Sequence, residues 1–138
     1  MLQFCLHVLF YDLWFYASHR LLHTSLGWHI HKVHHEKTHP KWQDTYYEHG
    51  LEGPFQSIGF FVPFAFGFWN LWSMLAALAL LNIRGMLRHD IRGIYWIGNH
   101  HLLHHRYPQY NFGEFWLDKL MGTDHPIEEE CQAGILYH

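Results

Sequence analysis

Histidine sets the terms for this chain. Sixteen of its 138 residues are histidine, and most stand in tight clusters. Solvent-exposed histidines without partners would not be grouped in this way. The first cluster is His19-Arg20-Leu21-Leu22-His23, an i, i+4 pair that faces one way on a helix. The second is His31-Lys32-Val33-His34-His35, and the third, His101-Leu102-Leu103-His104-His105, repeats its spacing. Positions i, i+3 and i+4 converge on one helical face, so each triplet is expected to bring three imidazoles to one site. His89 stands alone in Leu87-Arg88-His89-Asp90, with Asn82 on the same face two turns earlier.

These clusters give nine candidate metal ligands: His19, His23, His31, His34, His35, His89, His101, His104 and His105. One tetrahedral zinc takes about four ligands, so the number asks for two ions with four or five nitrogens each. Imidazole suits iron, zinc, copper and nickel alike, and ligand type does not choose among them. Asp12, Tyr16, His19 and His23 fall within about 60° of one another on a helix. A carboxylate in an apolar helix is costly unless paired. Orienting a ligand histidine through its second ring nitrogen would give Asp12 that partner.

The rest of the chain is apolar and aromatic. Aromatic residues make up 19% against 15% charged, and the mean hydropathy of −0.17 is lowered by histidine itself. Leu2 to Ala17 is near the short limit for spanning a bilayer. It lacks a basic leader and a small-residue cleavage site, and Asp12 interrupts it, so it reads as a retained helix. Pro54 to Ile83 carries no charge and exceeds the ~20 residues of one straight span. A helical hairpin is expected there, bending near Pro63 and Gly67-Phe68-Trp69-Asn70. Every Lys and Arg lies outside that run, and the positive-inside tendency places both flanks on the cytosolic side. All the clustered histidines lie on those flanks.

The predicted fold is therefore all-α and a single domain over residues 1–138. An N-terminal apolar helix and an apolar hairpin form a membrane bundle under a histidine-rich cytosolic helical cap. Trp28, Trp42, Trp69, Trp72, Trp96 and Trp116 suit interfacial anchoring or core packing equally. Glu128-Glu129-Glu130 reads as a solvated tail. A net charge of −3 gives no basic excess for nucleic acid. Cys5 and Cys131 match neither a disulfide framework nor zinc spacing.

Two other readings compete. His35-Glu36-Lys37-Thr38-His39 spells HExxH, the zinc metalloprotease signature with Glu36 as general base. Pro40 would end that helix at once, and His31, His34 and the third cluster would have no role. A histidine-rich metal transporter would need ligands across the bilayer, yet Pro54 to Ile83 contains no histidine.

The order HxxxH, HxxHH, apolar hairpin, HxxHH resembles the fatty acid hydroxylase and sterol desaturase superfamily. Asn99-His100-His101-Leu102-Leu103-His104-His105-Arg106, Asn111-Phe112-Gly113, Trp116-Leu117-Asp118 and Gly122-Thr123 strengthen the likeness, which runs from about Asp12 to Asp124. It implies a membrane-embedded, oxygen-dependent enzyme that hydroxylates or desaturates a lipid C–H bond, on a fatty acyl chain or a sterol. It also implies two iron ions on the nine histidines, with zinc as a substitute, and the metal centre itself as the catalytic group. Asp12, Tyr16, Asn82, His100 and Asp118 are expected to support the ligands. Members often carry a further histidine where this chain has Gly85, for which His100, Asn82 or water would compensate. The chain is short for the family, which commonly has further membrane helices before the first cluster.

Carotenoid hydroxylases are similar, whereas membrane acyl desaturases usually place a longer stretch between clusters than His35 to His101. Dioxygen would be the co-substrate. No GxGxxG signature is present, so electrons are expected from a separate cytochrome b5- or ferredoxin-like carrier. The expected location is an integral membrane one: endoplasmic reticulum in a eukaryote, inner membrane in a bacterium.

Overall fold

The computed structural model describes residues 1–137, and those residues form helices and turns without a strand. Helix α1 spans Leu2–Leu22, so the first apolar helix runs on past Ala17 and carries His19 in its last turn. It ends on His23, which is its C-cap. At 21 residues it is about 30 Å long.

The short α2 (Trp28–His31) and a 3-10 turn at His34–Glu36 follow, and a second 3-10 turn covers Trp42–Tyr46. The apolar run then divides. Its first arm is broken at Ser57 into α3 (Glu52–Gln56) and α4 (Ile58–Ala65), and its second arm is the unbroken α5 (Leu71–Arg88). The chain turns between them at residues 66–70, where Gly67 takes a φ of +80°. Asn70 caps α5, its Oδ1 accepting from the Ser73 N–H at 2.8 Å.

The two arms converge on α1. Phe60 of α4 and Ala77 and Leu81 of α5 form one buried cluster with Phe4, Val8 and Tyr11 of α1 packed against it. Gly59 permits the close approach of α4, since a Cβ there would lie 2.3 Å from Trp14 Cβ and 2.4 Å from the Phe10 carbonyl oxygen. The outward surface stays apolar: Trp72 is 77% exposed, and Phe66, Trp69, Leu71, Leu75 and Leu78 are exposed as well. Among the described helices, α5 is long and apolar enough to cross a membrane by length and composition. All six tryptophans named above are exposed, which removes core packing as their role.

Helices α6 (Ile94–Ile97), α7 (His100–Arg106) and α8 (Phe115–Met121) complete the chain around the histidine-bearing ends of α1 and α5. Glu128 and Glu129 are exposed as a solvated stretch should be, and Glu130 is docked. Glu130 accepts the Asn99 Nδ2 bond through its carbonyl at 2.7 Å, and its carboxylate lies 3.3 Å from His125 Nε2.

Candidate metal centre

The ends of α1, α2 and α5, the 3-10 turn His34–Glu36 and helix α7 bring the nine candidate histidines together in two groups. His19, His23, His31, His35 and His104 form the first, and His34, His89, His101 and His105 the second. Within each group one ring nitrogen per residue lies within 4.8 Å of all the others. The two triplets do not each serve one site as expected. In both, the i and i+4 rings enter one group while the i+3 ring enters the other. The i+3 residue sits about 60° from its i position around a helix, enough to face a neighbouring centre.

The ring nitrogens are held by their surroundings. His19 Nδ1 donates to the Phe112 carbonyl at 2.6 Å, and His104 Nδ1 to the Tyr110 carbonyl at 2.6 Å. His34 Nδ1 donates to the Tyr47 carbonyl at 3.1 Å, and His89 Nδ1 to the Gly85 carbonyl at 2.8 Å. A carbonyl only accepts, so each of these neutral rings carries its proton on Nδ1 and points a bare Nε2 inward. Those Nε2 atoms then face one another. His19 and His31 stand 2.9 Å apart; His23–His104, His31–His35, His35–His104, His34–His89 and His89–His101 are each 3.1 Å.

In the His19–His31 and His34–His89 pairs both rings have their Nδ1 proton committed elsewhere, and two lone pairs at that distance repel unless a cation lies between them. Nitrogens at right angles around an ion, with bonds of about 2.1 Å, are about 3.0 Å apart, against about 3.4 Å for a tetrahedron. The observed edges are in the range expected of nitrogens that share one ion. Both nitrogens of buried His105 lack any hydrogen-bond partner, as does His101 Nδ1. The residues thus fit a pair of metal ions.

Burial also holds the rings neutral. It pushes His31 down to about 4, His23 and His89 to about 3, and His35 to about 2. Neighbouring histidines lower His23, His35 and His89 further, and His101, His104 and His105 shift the same way. Because the folded values lie below the ordinary 6.5, the unfolded chain takes up protons first as pH falls. The stabilisation from these neutral rings is therefore complete above about pH 6.5 and drains away below it. Thermal melts of metal-free protein from pH 8 to pH 5 are expected to show a level melting temperature, then a steep fall beginning near 6.5.

The supporting residues differ in part from expectation. Asp12 orients no histidine; Arg84, one helix across on α5, takes its carboxylate in an ion pair and also reaches Glu114 at 3.2 Å. Tyr16 packs with Phe112 and Leu117 and bonds Thr123 Oγ1 at 3.1 Å. Asn82 accepts from the Tyr46 hydroxyl and donates to the Leu78 carbonyl, so it does not support His89. His100 bonds Asp118 at 3.0 Å instead of joining a group. Asp118 acts through the loop: it accepts from the N–H of Phe112 at 2.9 Å and of Gly113 at 2.7 Å, fixing the carbonyl that holds His19. Asn111, at a φ of 60°, makes the turn between the Tyr110 and Phe112 carbonyls, a conformation asparagine tolerates.

Glu52 was not expected. It is fully buried, and its Oε1 accepts from His31 Nδ1 at 2.7 Å. Burial raises its carboxyl to about 7. Its only mark in the sequence is its place as the last charge before the apolar run. Glu52→Ala is expected to weaken metal binding by the first group 10–100-fold, measured by competition against a chelator.

The HExxH reading fails on geometry. Lys37 leaves helical conformation, with φ −96° and ψ 85°, so His35 and His39 share no helix. His39 is exposed and in neither group, and Glu36 is bonded by the Tyr47 hydroxyl.

Between the histidine groups and the apolar helices lies a cavity of about 220 Å³. Phe60, Phe61, Leu78 and Leu81 form its apolar wall. His19, His31, His34, His89 and His101 line it on the other side, beside Glu48, Arg84 and Arg88.

A helical scaffold gathers nine imidazoles into two adjoining groups beside a cavity with one apolar wall, a candidate two-metal centre. Residues 4–123 match the model of the fatty acid hydroxylase family, and the chain belongs to that family. It is 32% identical over 132 residues to a Delta(7)-sterol 5(6)-desaturase of Gibberella zeae, covering 88% of this chain and 37% of that protein. It is also 32% identical over 126 residues to methylsterol monooxygenase 1 of Rattus norvegicus, covering 82% of this chain and 43% of the relative. The chain thus spans less than half the length of these relatives. No solved structure matches it significantly.

Proposed function

We propose that this chain is the catalytic part of a membrane-embedded oxidoreductase that uses dioxygen to hydroxylate or desaturate a lipid, with two irons in its histidine cages. The observation that carries this reading is the pair of cages, five nitrogens and four, opening on a cavity whose opposite wall is apolar. Iron held there supplies the oxygen chemistry that attacks an unactivated C–H bond. The relatives act on sterols by name, a sterol desaturase and a methylsterol monooxygenase, so sterols are the first substrates to test.

The residues divide the work. The backbone carbonyls of Tyr47, Gly85, Tyr110 and Phe112, with Glu52, fix the protonated face of the rings, leaving Nε2 free to bind metal. Phe60, Phe61, Leu78 and Leu81 receive hydrocarbon and exclude water from the inner wall. The exposed apolar faces of α4 and α5 give the bundle its lipid contact, with the histidine cap on the cytosolic side. Electrons arrive from a separate carrier, cytochrome b5- or ferredoxin-like.

The test is metal analysis of detergent-purified protein reduced without oxygen. About two irons per chain, with oxygen-dependent turnover of a sterol, is the expected result. A single zinc per chain would overturn the reading.

A further inference from the structure

We infer that the second cage has an open coordination position at Gly85, facing the cavity, which admits a small exogenous ligand. This rests on the two-metal reading above. The cages follow one pattern with one gap. Each i, i+4 histidine pair in the clusters shares a cage: His19 with His23, His31 with His35, and His101 with His105. The first cage is two such pairs plus His104, the i+3 member of the third cluster. The second is one pair, plus His34 as the i+3 member of the second cluster, plus His89 alone. The residue that would pair with His89 is Gly85, four positions earlier.

Helix geometry makes the correspondence close. His23 is the C-cap of α1 and His19 lies one turn back; His89 is the C-cap of α5 and Gly85 lies one turn back. The position that supplies a fifth nitrogen to the first cage therefore supplies none to the second. Neither expected substitute fills the gap, because His100 is bonded to Asp118 and Asn82 to Tyr46 and Leu78. Among the described residues, the second group holds four nitrogens against five.

The gap also faces free space. Gly85 lines the cavity together with His34, His89 and His101, three of the four second-cage ligands. A Cβ on Gly85 would press on Thr45 Cγ2 at 3.3 Å, so a side chain there needs that threonine to shift by a few tenths of an ångström. From the first cage His19 and His31 also reach the cavity wall, but each has its i, i+4 partner in place, whereas His89 has none. Exogenous ligand and substrate would thus meet on the side of the second cage.

The test uses protein loaded with two cobalt(II) ions and titrated with azide, followed by visible absorption. Wild-type protein is expected to bind one azide per chain, with 4-methylimidazole competing for the same position. Gly85→His should weaken the azide response at least tenfold and tighten the weaker of the two cobalt dissociation constants by a similar factor. Gly85→Ala, which adds no ligand, should keep the azide response. An unchanged azide response in a Gly85→His protein that still holds two cobalt ions would overturn the inference. So would azide binding to wild-type protein that 4-methylimidazole does not displace, a result that stands even if the histidine variant does not fold. Wild-type protein binding fewer than two cobalt ions would instead count against the two-metal reading itself.

Discussion

His104→Ala is expected to lower lipid oxidation by at least about three orders of magnitude and the iron content from about two per chain toward one. A thousandfold loss corresponds to about 4 kcal/mol in the barrier. The ring is fully buried, with Nε2 3.1 Å from both His23 and His35 and Nδ1 bonded to the Tyr110 carbonyl. Deleting it takes the one α7 ligand out of the first cage and leaves four rings supplied by the first two clusters alone. It also ends the contact through which the 110–113 loop is tied to that cage. The matched control is Glu36→Gln, which touches only the Tyr47 hydroxyl and should retain turnover and both irons. Iron analysis and sterol turnover on the same preparations decide the matter. Wild-type iron and turnover in the alanine variant would show that His104 is no ligand, whereas lost turnover in Glu36→Gln would show that the Glu36–Tyr47 contact supports the site.

What could be read from the sequence follows from how local each signal is. Eight of the nine histidines stood out because i, i+4 spacing needs only a single turn of helix to be meaningful and three clusters repeat it, whereas His89 stood alone. The turn at residues 66–70 was equally legible, from Gly67 and Asn70 interrupting an apolar run. The division of each triplet between two cages was not, because it depends on where neighbouring helices stand. Asp12 shows the same limit. Its cost in an apolar helix correctly required a partner, but Arg84 lies 72 residues away and shares its level only once α5 packs on α1. Glu52 and the carbonyls of Tyr47, Tyr110 and Phe112 escaped notice for another reason. A backbone carbonyl carries no sequence identity, and a single glutamate ahead of an apolar run looks like any flanking charge.

Asp118→Ala is expected to destabilise the fold by about 3–5 kcal/mol, the scale for leaving buried charge-assisted partners unmet. Asp118 is fully buried and accepts four hydrogen bonds. Its Oδ1 takes Phe112 N–H and Thr123 Oγ1, at 2.9 and 2.7 Å, and its Oδ2 takes Gly113 N–H and His100 Nε2, at 2.7 and 3.0 Å. All four are donors, so the amide of Asp118→Asn would set its own N–H against two of them, and that variant should fare nearly as badly. In a domain of this size the loss is a fall in melting temperature on the order of 10–20 °C. The effect on metal should be uneven. The freed 111–113 loop carries the Phe112 carbonyl that orients His19, so the first cage is expected to lose affinity while the second is largely spared. His100→Ala, which removes a single one of the four donors, should cost far less stability and leave His19 held. Sequential cobalt titrations with thermal melts on the three variants separate these effects. Equal loss from both cages would mean that Asp118 stabilises the cap as a whole and has no particular hold on the histidine beneath it.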